Sequence, residues 1–350
     1  MRLGLTYNLR PADLAPDDPI DRYEEFDSVE TVDAIADALH RDGHQVERLG
    51  WGPNLLDALD GPRRLDGVFN VAEGLGGRGR ESQVPAMLEM LGIPNTGSDP
   101  VTLALALDKG VAKLVATAHG IATAPFVLVG PADELTDDLV AGLRFPLFAK
   151  PVAEGSSMGI RDTSVCRGLA ELRALIARLQ ADYGQSVLIE EYLPGSEYTV
   201  GVIGNGADAE VVGVMQVVPR DDSGDFVYSL EVKRDYRNRV VYRMTDDLLR
   251  LGVAPAELAT VRALALATHR AFGCRDLSRV DIRCDRDGAP NFLEVNPLPG
   301  LNPQSSDLVI LSRGHGWTYE QLIGRILAAA AERWSHAPST LHRPLAAAVA

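Results

Sequence analysis

The sequence is poor in cysteine and has no apolar run long enough to cross a membrane. Its three cysteines, Cys166, Cys274 and Cys284, are an odd number without the paired spacing of a metal site. The N-terminus, Met1-Arg-Leu-Gly-Leu-Thr, lacks the apolar core of a signal peptide. A membrane-spanning helix needs about 20 apolar residues. We therefore expect a reduced, cytoplasmic protein that does not insert into a membrane.

Positive charge is also scarce. The 350 residues include 34 Lys and Arg against 49 Asp and Glu, which gives a formal net charge of −15. This balance disfavours non-specific binding to nucleic acid or to an anionic membrane, and no nucleic-acid motif is visible. The net charge does not exclude a local basic pocket that binds an anionic substrate. Because 46% of the residues are hydrophobic, we expect two or three domains with substantial cores.

The most informative stretch is residues 279–300, where two short runs predict a hairpin. Polar and apolar residues alternate strictly over residues 279–285, which is the pattern of a half-buried strand. Asp287-Gly288 is a strong signal for a two-residue turn. Counting outward from this turn pairs Asp281 with Glu294 on the facing strand. The same count pairs Arg279 with Asn296.

Two carboxylates that face each other across a hairpin repel, so this register needs a positive partner between them. Arg279 is one candidate, and a divalent cation is the other. Asn296 adds a neutral oxygen on the same face as Asp281 and Glu294, and such a set suits Mg²⁺ that is shared with phosphates. A plain surface hairpin with solvated charges is the competing interpretation. Pro290 fits only an edge strand or a bulge, so the register can slip by one residue.

Two glycine-rich loops precede the hairpin. Residues 73–81 match the dinucleotide fingerprint through Gly74, Gly76 and Gly79, but they do not follow the first strand of the chain. A flap that carries Arg78 and Arg80 over a ligand, or a plain surface loop, is therefore favoured over a Rossmann cofactor site. The second loop, residues 154–159, is rich in small residues, and its backbone N–H groups suit phosphate binding.

The second loop also matches the G-x-S-x-G pattern of serine hydrolases, with Ser157 as the nucleophile. Such an elbow needs a helix directly after the serine, and then an acid and a histidine downstream. Residues 160–165 instead have an extended pattern. The residues around His269 and His315 do not match a catalytic motif. A serine hydrolase is therefore only an alternative interpretation.

Residues 187–200 predict a strand, a Pro-Gly turn and a second strand. An apolar strand that ends at Glu190 before such a turn suits a linker between two lobes around a nucleotide. A simple hairpin with Glu190 and Glu197 exposed explains the pattern equally well. Periodicity predicts the other strands at 2–7, 45–49, 65–72, 124–129, 145–151 and 200–218. It predicts helices at 24–40, 82–91, 108–119, 169–180, 256–272 and 319–333.

Taken together and in order, five segments resemble the D-alanine-D-alanine ligase branch of the ATP-grasp superfamily. They are Lys109, residues 150–159, residues 188–200, Arg279-Val-Asp and residues 292–300. The likeness spans nearly the whole chain and is more specific than any one motif. It implies an α/β protein with a three-domain ATP-grasp fold and ATP between the central and C-terminal sheets. The units would be a Rossmann-like N-terminal substrate domain (1–108), a central lobe (109–199), a C-terminal lobe with the Mg²⁺ site (200–334) and a flexible tail (335–350).

The resemblance also implies a role for individual residues. Lysines would bind the phosphates of ATP, the 154–159 loop would cover the γ-phosphate, and acidic residues would meet adenine and ribose. The ATP-binding set is Lys109, Lys150, Glu154, Ser156, Ser157, Met158, Glu190, Glu191, Leu193, Glu197 and Lys233. Asp281, Glu294 and Asn296 match ligands of two Mg²⁺ ions, for which Mn²⁺ can substitute. Arg279 and the Gly300 backbone would stabilise an oxyanion, and Ser305 or Ser306 would receive the carboxylate of the acceptor.

The reaction that the resemblance implies is the ATP-dependent ligation of a carboxylate to an amine. ATP phosphorylates the carboxylate, and the amine attacks the acyl phosphate, so no side-chain nucleophile is needed. The product would be D-alanyl-D-alanine or a related dipeptide, in peptidoglycan biosynthesis or a specialised pathway. The partners would be amino acids and, as the family is often dimeric, a second copy of the chain. A non-catalytic ATP-binding protein is a further alternative.

Three departures from the family pattern fall where the amino acids would bind. The family has a tyrosine after its phosphate-contacting lysine, which meets the serine at position 156 and an N-terminal glutamate; here that tyrosine is Arg234. The histidine before the N-terminal glycine loop is Glu73. The displaced N-terminal acid has three candidates, which are Glu24, Glu25 and Asp27. Arg234 would pair with Glu25 or Asp27, bind a substrate carboxylate, or be solvated.

Overall fold

The computed structural model describes residues 1–13, 19–59, 64–221 and 224–336, and this part of the chain contains three β-sheets. From residue 337 onward, the predicted flexible tail lies outside the described residues. No helix among the described residues has both the length and the apolar character needed to span a membrane.

The first sheet is parallel and lies at the N-terminus, with strand order β2-β1-β3. Its strands are β1 (Arg2–Tyr7), β2 (Gln45–Gly50) and β3 (Gly67–Val71). The helices of this region are α1 (Val29–Arg41), α2 (Asn54–Leu59), α3 (Gln83–Met90) and α4 (Pro100–Leu107). Helix α1 begins later than predicted, because the Ser28 side chain accepts the N–H of Thr31 and caps it. Residues 19–28 thereby lie outside the helix.

The second sheet is antiparallel, with strand order β4-β7-β5-β6. Its strands are β4 (Phe126–Val129), β5 (Leu147–Pro151), β6 (Val165–Cys166) and β7 (Val187–Glu191). The helices are α5 (Lys109–Ala118), α6 (Asp137–Val140) and α7 (Leu169–Tyr183). The extended prediction for residues 160–165 is wrong for the most part, since a 3₁₀ turn occupies Asp162–Ser164.

The third sheet is antiparallel and has five strands in the order β10-β9-β8-β11-β12. They are β8 (Glu197–Ile203), β9 (Glu210–Pro219), β10 (Val240–Met244), β11 (Leu277–Cys284) and β12 (Pro290–Asn296). The helices are α8 (Leu230–Arg234), α9 (Tyr236–Arg239), α10 (Thr245–Arg250), α11 (Pro255–Ala271), α12 (Asp307–Gly314) and α13 (Tyr319–His336). Strands β7 and β8 therefore belong to different sheets, and residues 187–200 are a link between lobes rather than a hairpin.

The β11–β12 hairpin confirms the predicted residue pairs, but its turn and its strand regularity differ from the prediction. Asp281 faces Glu294, and Arg279 faces Asn296. The register shifts by one residue beyond Asp281, where the strand bulges. The turn itself is longer than the predicted Asp-Gly pair, because the backbone N–H of Asp285 donates to the carbonyl of Ala289. The longer turn and the bulge compensate each other, and Pro290 begins an edge strand, as its missing N–H requires.

Two helices join the sheets into one body. Helix α5 was predicted within the central lobe, yet its buried Ala112 and Ala116 lie in the same core as Phe292 of the third sheet. Helix α13 returns to the N-terminus, where Ile323 packs in one core with Leu3. The boundaries at 108, 199 and 334 stay a prediction, since helices from one sequence region fill the core of another. The α/β architecture itself is confirmed.

Phe292 offers a test of the core that supports the hairpin. Its side chain is fully buried and stacks on Phe272 with ring centroids 5.7 Å apart. We expect Phe292→Ala to lower the free energy of unfolding by about 3–5 kcal/mol, because it leaves a cavity. Urea denaturation measures this change, with Leu251→Ala as a control at a side chain that is 61% exposed. Equal effects of the two substitutions would contradict the assigned core.

Candidate active site

The facing carboxylates of the hairpin are partly neutralised by Arg279. Its Nη2 lies 2.9 Å from Asp281 Oδ2 and 3.7 Å from Glu294 Oε1. The Asn296 amide donates to Asp281 Oδ2 at 3.2 Å, and the Thr199 hydroxyl donates to Asp281 Oδ1 at 3.0 Å. Of the two positive partners that the sequence allowed, the arginine occupies this position in the structure.

Lysines from other elements approach the same carboxylates. Lys109 Nζ is 3.5 Å from Glu294 Oε2 and donates to the backbone carbonyl of Glu154. Burial by itself raises the pKa of Glu294, but Lys109, Lys150 and Arg279 outweigh it, so the pKa lies well below its usual value. Burial likewise raises the pKa of Asp281, and there the effect of burial prevails over Arg279. Glu294 is therefore ionised at neutral pH.

A second ion-pair group lies on β5 and β7, at the edge of the same space. Glu190 accepts from Lys150 at 2.8 Å and from Lys113 at 2.6 Å, and all three side chains are buried. Burial raises the pKa of Glu190, yet the two lysines overcome this effect and lower it to about 2. Lys113 was missed by the sequence analysis, because a lysine in the middle of an amphipathic helix carries no distinguishing motif.

A cavity of about 700 Å³, partly open to solvent, lies between the second and third sheets. Seven of the predicted ATP-binding residues line it, together with Asp281 and Glu294. They are Lys150, Ser157, Glu190, Glu191, Leu193, Glu197 and Lys233. Glu197 is bound by Arg283 at 2.8 Å, and Arg144 binds Glu191 at 2.9 Å. Arg283 is a lining residue that the alternating pattern marked only as a polar position.

The 154–159 loop contains three residues in the left-handed backbone region. Ser156 has φ of 46°, Ser157 has φ of 60°, and Gly159 has φ of 75°. Such a conformation costs energy for a serine and concentrates at functional sites. Ser157 also lines the 700 Å³ cavity, whereas Met158 is buried against a neighbouring space beside Tyr183. Glu154 lines that space too, and its carboxylate accepts from Gln185 at 2.6 Å.

The hydrolase interpretation has no support in the structure. The Ser157 hydroxyl donates to the carbonyl of Tyr228 at 3.0 Å. His269 instead contacts Ser278 at 2.8 Å, and His315 contacts Thr245 at 2.9 Å. Neither histidine is therefore placed to act as a base for this serine.

Residues 19–28 lie against the 154–159 loop. Asp21 is fully buried and accepts from Arg161 at 2.9 Å, from Tyr183 at 2.9 Å and from the N–H of Gly159 at 3.2 Å. Glu25 lies so close to Gly155 that a Cβ there would meet Glu25 Oε1 at 1.9 Å. A side chain at position 155 would therefore have to displace the Glu25 carboxylate. The role of Asp21 was missed because it lies in a Pro- and Asp-rich segment that the sequence analysis left without a function.

The expected partners of Arg234 were wrong. Arg234 pairs with Glu24, with Nη2 2.6 Å from Oε2, and not with Glu25 or Asp27. Glu25 instead binds the buried Arg80 at 2.5 Å. Burial raises the pKa of Asp27 to about 7. The sequence order could not separate these three neighbouring acids, since their directions depend on the irregular turn that holds them.

The arginines of the N-terminal glycine loop are paired rather than held over a ligand. Arg78 binds Asp108 at 2.5 Å, while Arg80 binds Glu25 and donates to the carbonyl of Ala153 at 2.6 Å. Both arginines of the predicted flap, residues 73–81, are therefore held by ion pairs within the protein.

Two further cavities adjoin the hairpin. One, of about 590 Å³, is lined by predicted residues that include Lys109, Arg279 and Gly300. The others are Glu25, Glu73, Glu154, Ser156, Glu294 and Asn296. A larger one, of about 1190 Å³, is lined by Arg234, Ser305 and Ser306, and it shares Glu25, Ser156, Arg279 and Gly300 with the first. The structure thus brings the predicted substrate residues together.

Comparison with known proteins identifies related sequences along most of the chain. The family model described as "D-ala D-ala ligase C-terminus" matches residues 115–328. D-alanine-D-alanine ligase of Synechococcus sp. (strain JA-3-3Ab) is 33% identical over 302 residues, which cover 82% of this chain and 86% of that protein. An uncharacterized protein of Sinorhizobium fredii, y4sG, is 34% identical over 311 residues, covering 87% and 88%.

A solved structure has a similar fold. The crystal structure of Bacillus anthracis D-alanine-D-alanine ligase complexed with ATP superposes with a TM-score of 0.73. The sequences are 22% identical, and the match covers 96% of this chain and 99% of that chain.

The Asp21 contacts predict a pH-dependent contribution to stability. Burial raises the pKa of Asp21, but the hydrogen bonds from Arg161 and Tyr183 lower it by a larger amount, so the net shift is downward. A carboxyl whose pKa is lower in the folded state stabilises the fold at pH values above its unfolded-state pKa of about 3.9. This stabilisation is lost as the pH falls through the folded-state pKa. We expect Asp21→Asn to cost about 1.5–3 kcal/mol at pH 7. Urea unfolding at pH 7, 5 and 3 should show this cost shrinking only below pH about 4.

Asp208 is exposed, and its side chain makes no hydrogen bond or ion pair within the described part of the chain, so Asp208→Asn provides the control substitution. A cost for Asp21→Asn that stays constant down to pH 3 would exclude the ionised carboxylate as the source of stability.

Proposed function

The chain belongs to the D-alanine-D-alanine ligase family of the ATP-grasp superfamily, and from that premise we propose that it joins two amino acids through an acyl phosphate. It is an ATP-dependent ligase. One observation carries the finer proposal: Glu294 lines both the cavity between the two sheets and the cavity beside Gly300. A nucleotide and an amino acid would therefore meet at this carboxylate.

We assign ATP to the 700 Å³ cavity. Glu190 and Leu193 would lie at the adenine and Glu197 at the ribose. The phosphates would extend toward Lys109, Lys150 and Lys233, where positive charge is concentrated next to Glu294. We propose that backbone N–H groups at the start of the 154–159 loop contact the phosphates. This loop would cover the γ-phosphate.

The hairpin carboxylates fit a divalent cation. Asp281, Glu294 and Asn296 offer oxygen atoms on one face of the hairpin, and carboxylate and amide oxygens are ligands that suit Mg²⁺. We propose that these residues hold Mg²⁺ in two sites that also accept Mn²⁺. When bound, Mg²⁺ neutralises charge on the phosphoryl group and orients it. Arg279 lies between the carboxylates and completes the set.

The chain's own residues provide the remaining steps. The substrate carboxylate attacks the γ-phosphorus, the bond to the bridging oxygen breaks and ADP leaves, while Lys109 and Lys150 offset the charge of the phosphates. The amine of the second amino acid then attacks the acyl phosphate, and phosphate leaves. Arg279 and the backbone N–H of Gly300 stabilise the oxyanion of that step. Ser156, within the covering loop, helps to exclude water from the acyl phosphate.

The acceptor would lie in the cavity of about 1190 Å³. Ser305 and Ser306 precede α12, whose N-terminal N–H groups favour a carboxylate. Arg234 closes this cavity through Glu24, where the family has a tyrosine. We place Arg234 in the closing element of the site, with Glu25 and Glu73 at the donor end. The identity of the two amino acids, D-alanine included, is left to experiment.

The remaining assignments follow from the family and from the cysteines. The three cysteines are free and buried, which suits a reducing cytoplasm. We propose a homodimer, because the family often forms one, and the three domains 1–108, 109–199 and 200–334. A role in peptidoglycan biosynthesis would follow if the dipeptide were D-alanyl-D-alanine.

Phosphate release from ATP tests the proposed function. The purified chain is incubated with ATP, Mg²⁺ and pairs of D- and L-amino acids, and the product is identified by mass spectrometry. We expect release only when a carboxylate donor and an amine acceptor are both present, with one dipeptide formed per phosphate. ATP binding without turnover for any pair would indicate a non-catalytic protein.

Glu294→Gln tests the assigned metal ligands. The change keeps the shape of the side chain but removes a charge from the proposed Mg²⁺ site, so kcat should fall at least about 100-fold. Circular dichroism should show an unchanged fold, and nucleotide binding without Mg²⁺ should persist in calorimetry. Glu210→Gln, on the exposed end of β9, serves as the matched control. Turnover similar to that of the unmodified chain would refute the metal assignment.

A further inference from the structure

Three glutamates meet at the donor end of the 590 Å³ cavity. One carboxylate oxygen from each of Glu25, Glu73 and Glu81 lies within 4.8 Å of the other two. They come from separate parts of the N-terminal region: the segment before α1, the residues after β3 and the 3₁₀ turn before α3. Glu73 and Glu81 are each only 8% exposed, and both line this cavity. We call Glu25, Glu73 and Glu81 the carboxylate cluster.

The cluster has too few positive partners. Arg80 binds Glu25 at 2.5 Å and is held toward the central lobe by the carbonyl of Ala153. Within the described ranges, the side chains of Glu73 and Glu81 make no hydrogen bond or ion pair. Two carboxylates that are more than nine-tenths buried therefore point into the cavity without a partner, which is unfavourable unless a ligand completes them.

The electrostatic consequences agree with this geometry. Burial raises the pKa of Glu73 well above its usual value, and the Glu25 carboxylate raises it further. The same two causes raise the pKa of Glu81 to about 8. Without a ligand, the cluster therefore retains protons at neutral pH. A bound cation would replace them.

We propose that the carboxylate cluster binds a second positive charge on the donor, so that the donor is a diamino or guanidino acid. This inference rests on the proposed function. The far end of the cavity holds Lys109, Arg279 and the Gly300 backbone, which suit the donor's carboxylate. When ionised, the cluster has two negative charges more than Arg80 offsets. The α-ammonium of a neutral amino acid supplies only one positive charge.

An organic cation suits this position better than a metal ion. The Arg80 guanidinium is already 2.5 Å from Glu25, and a divalent ion among the three carboxylates would be repelled by it. The cavity is also lined by residues 297–300. An ammonium or guanidinium group can share the cluster with Arg80 through separate oxygens.

Paired donors that differ only in charge test the proposal. Lysine is compared with norleucine, ornithine with norvaline and arginine with citrulline, in both enantiomers, with a panel of acceptors and phosphate release as the readout. We expect a cationic donor to have a kcat/KM about 10- to 100-fold above that of its neutral counterpart, as a charged hydrogen bond provides. Neutral donors that react as well as cationic ones would overturn the proposal while leaving the ligase function intact. No release with any pair would instead count against the function itself.

Substitutions localise the effect. Glu73→Gln and Glu81→Gln should each remove most of the preference for the cationic donor, because each raises the KM of that donor by a larger factor than the KM of the neutral donor. Glu89→Gln, at an exposed glutamate of α3, is the matched control. Circular dichroism confirms the fold of each variant. A preference that survives both substitutions would place the second charge elsewhere.

Calorimetry separates the metal alternative. The nucleotide-free chain is titrated with Mn²⁺ and with Zn²⁺, and the same titrations are made on Glu81→Gln. We expect the two proteins to bind these ions alike. Tight binding that Glu81→Gln abolishes would identify the cluster as a metal site and overturn the proposal.

Discussion

Two carboxylates on facing strands, of which Asp281 is buried and Glu294 partly buried, are the constraint around which the site is arranged. Asp281 and Glu294 repel each other at a position where little water is present to screen them, so the folded hairpin requires positive charge nearby. Arg279 comes from the same strand as Asp281, Lys109 from the start of α5 and Lys150 from the end of β5. The elements that converge on the hairpin are therefore those that carry a cation to it, and the same cations create a place for phosphates.

The N-terminal segment connects this centre to its covering loop. Asp21 bonds to Arg161, Tyr183 and the loop backbone, while Glu24 pairs with Arg234 on α8. These contacts link the first, second and third sheet regions through charged groups rather than through apolar packing. Charged contacts exchange readily with water, which suits a part of the site that must admit and release substrates. Apolar cores provide the permanent connections, through α5 and α13.

The two ends of the site differ in how closely they follow the family. The proposed nucleotide end keeps the lysines, the acidic residues and the glycine loop that the family resemblance implies, and ATP would be the same molecule in every member. At the amino-acid end, Arg234 and Glu73 replace the tyrosine and histidine of the family pattern, and Glu81 adds a third buried acid. Substrate choice depends on differences in binding free energy, and unpartnered buried carboxylates impose large differences of this kind. The departures therefore point to the amino acid rather than to the reaction.

The sequence by itself determined the elements with strong periodicity and the pairing of Asp281 with Glu294, because alternation and turn chemistry are local properties. It also determined the family, because the motifs occur in a fixed order along the chain. It did not reveal that Glu24, not Glu25, pairs with Arg234, that the turn is longer and offset by a bulge, or that β7 and β8 lie in separate sheets. Only the tertiary structure decided these, since each depends on which distant groups compete for a side chain. The meeting of Glu25, Glu73 and Glu81 is of the same kind, because residues far apart in the chain become neighbours only when the first sheet packs against the loops beside it.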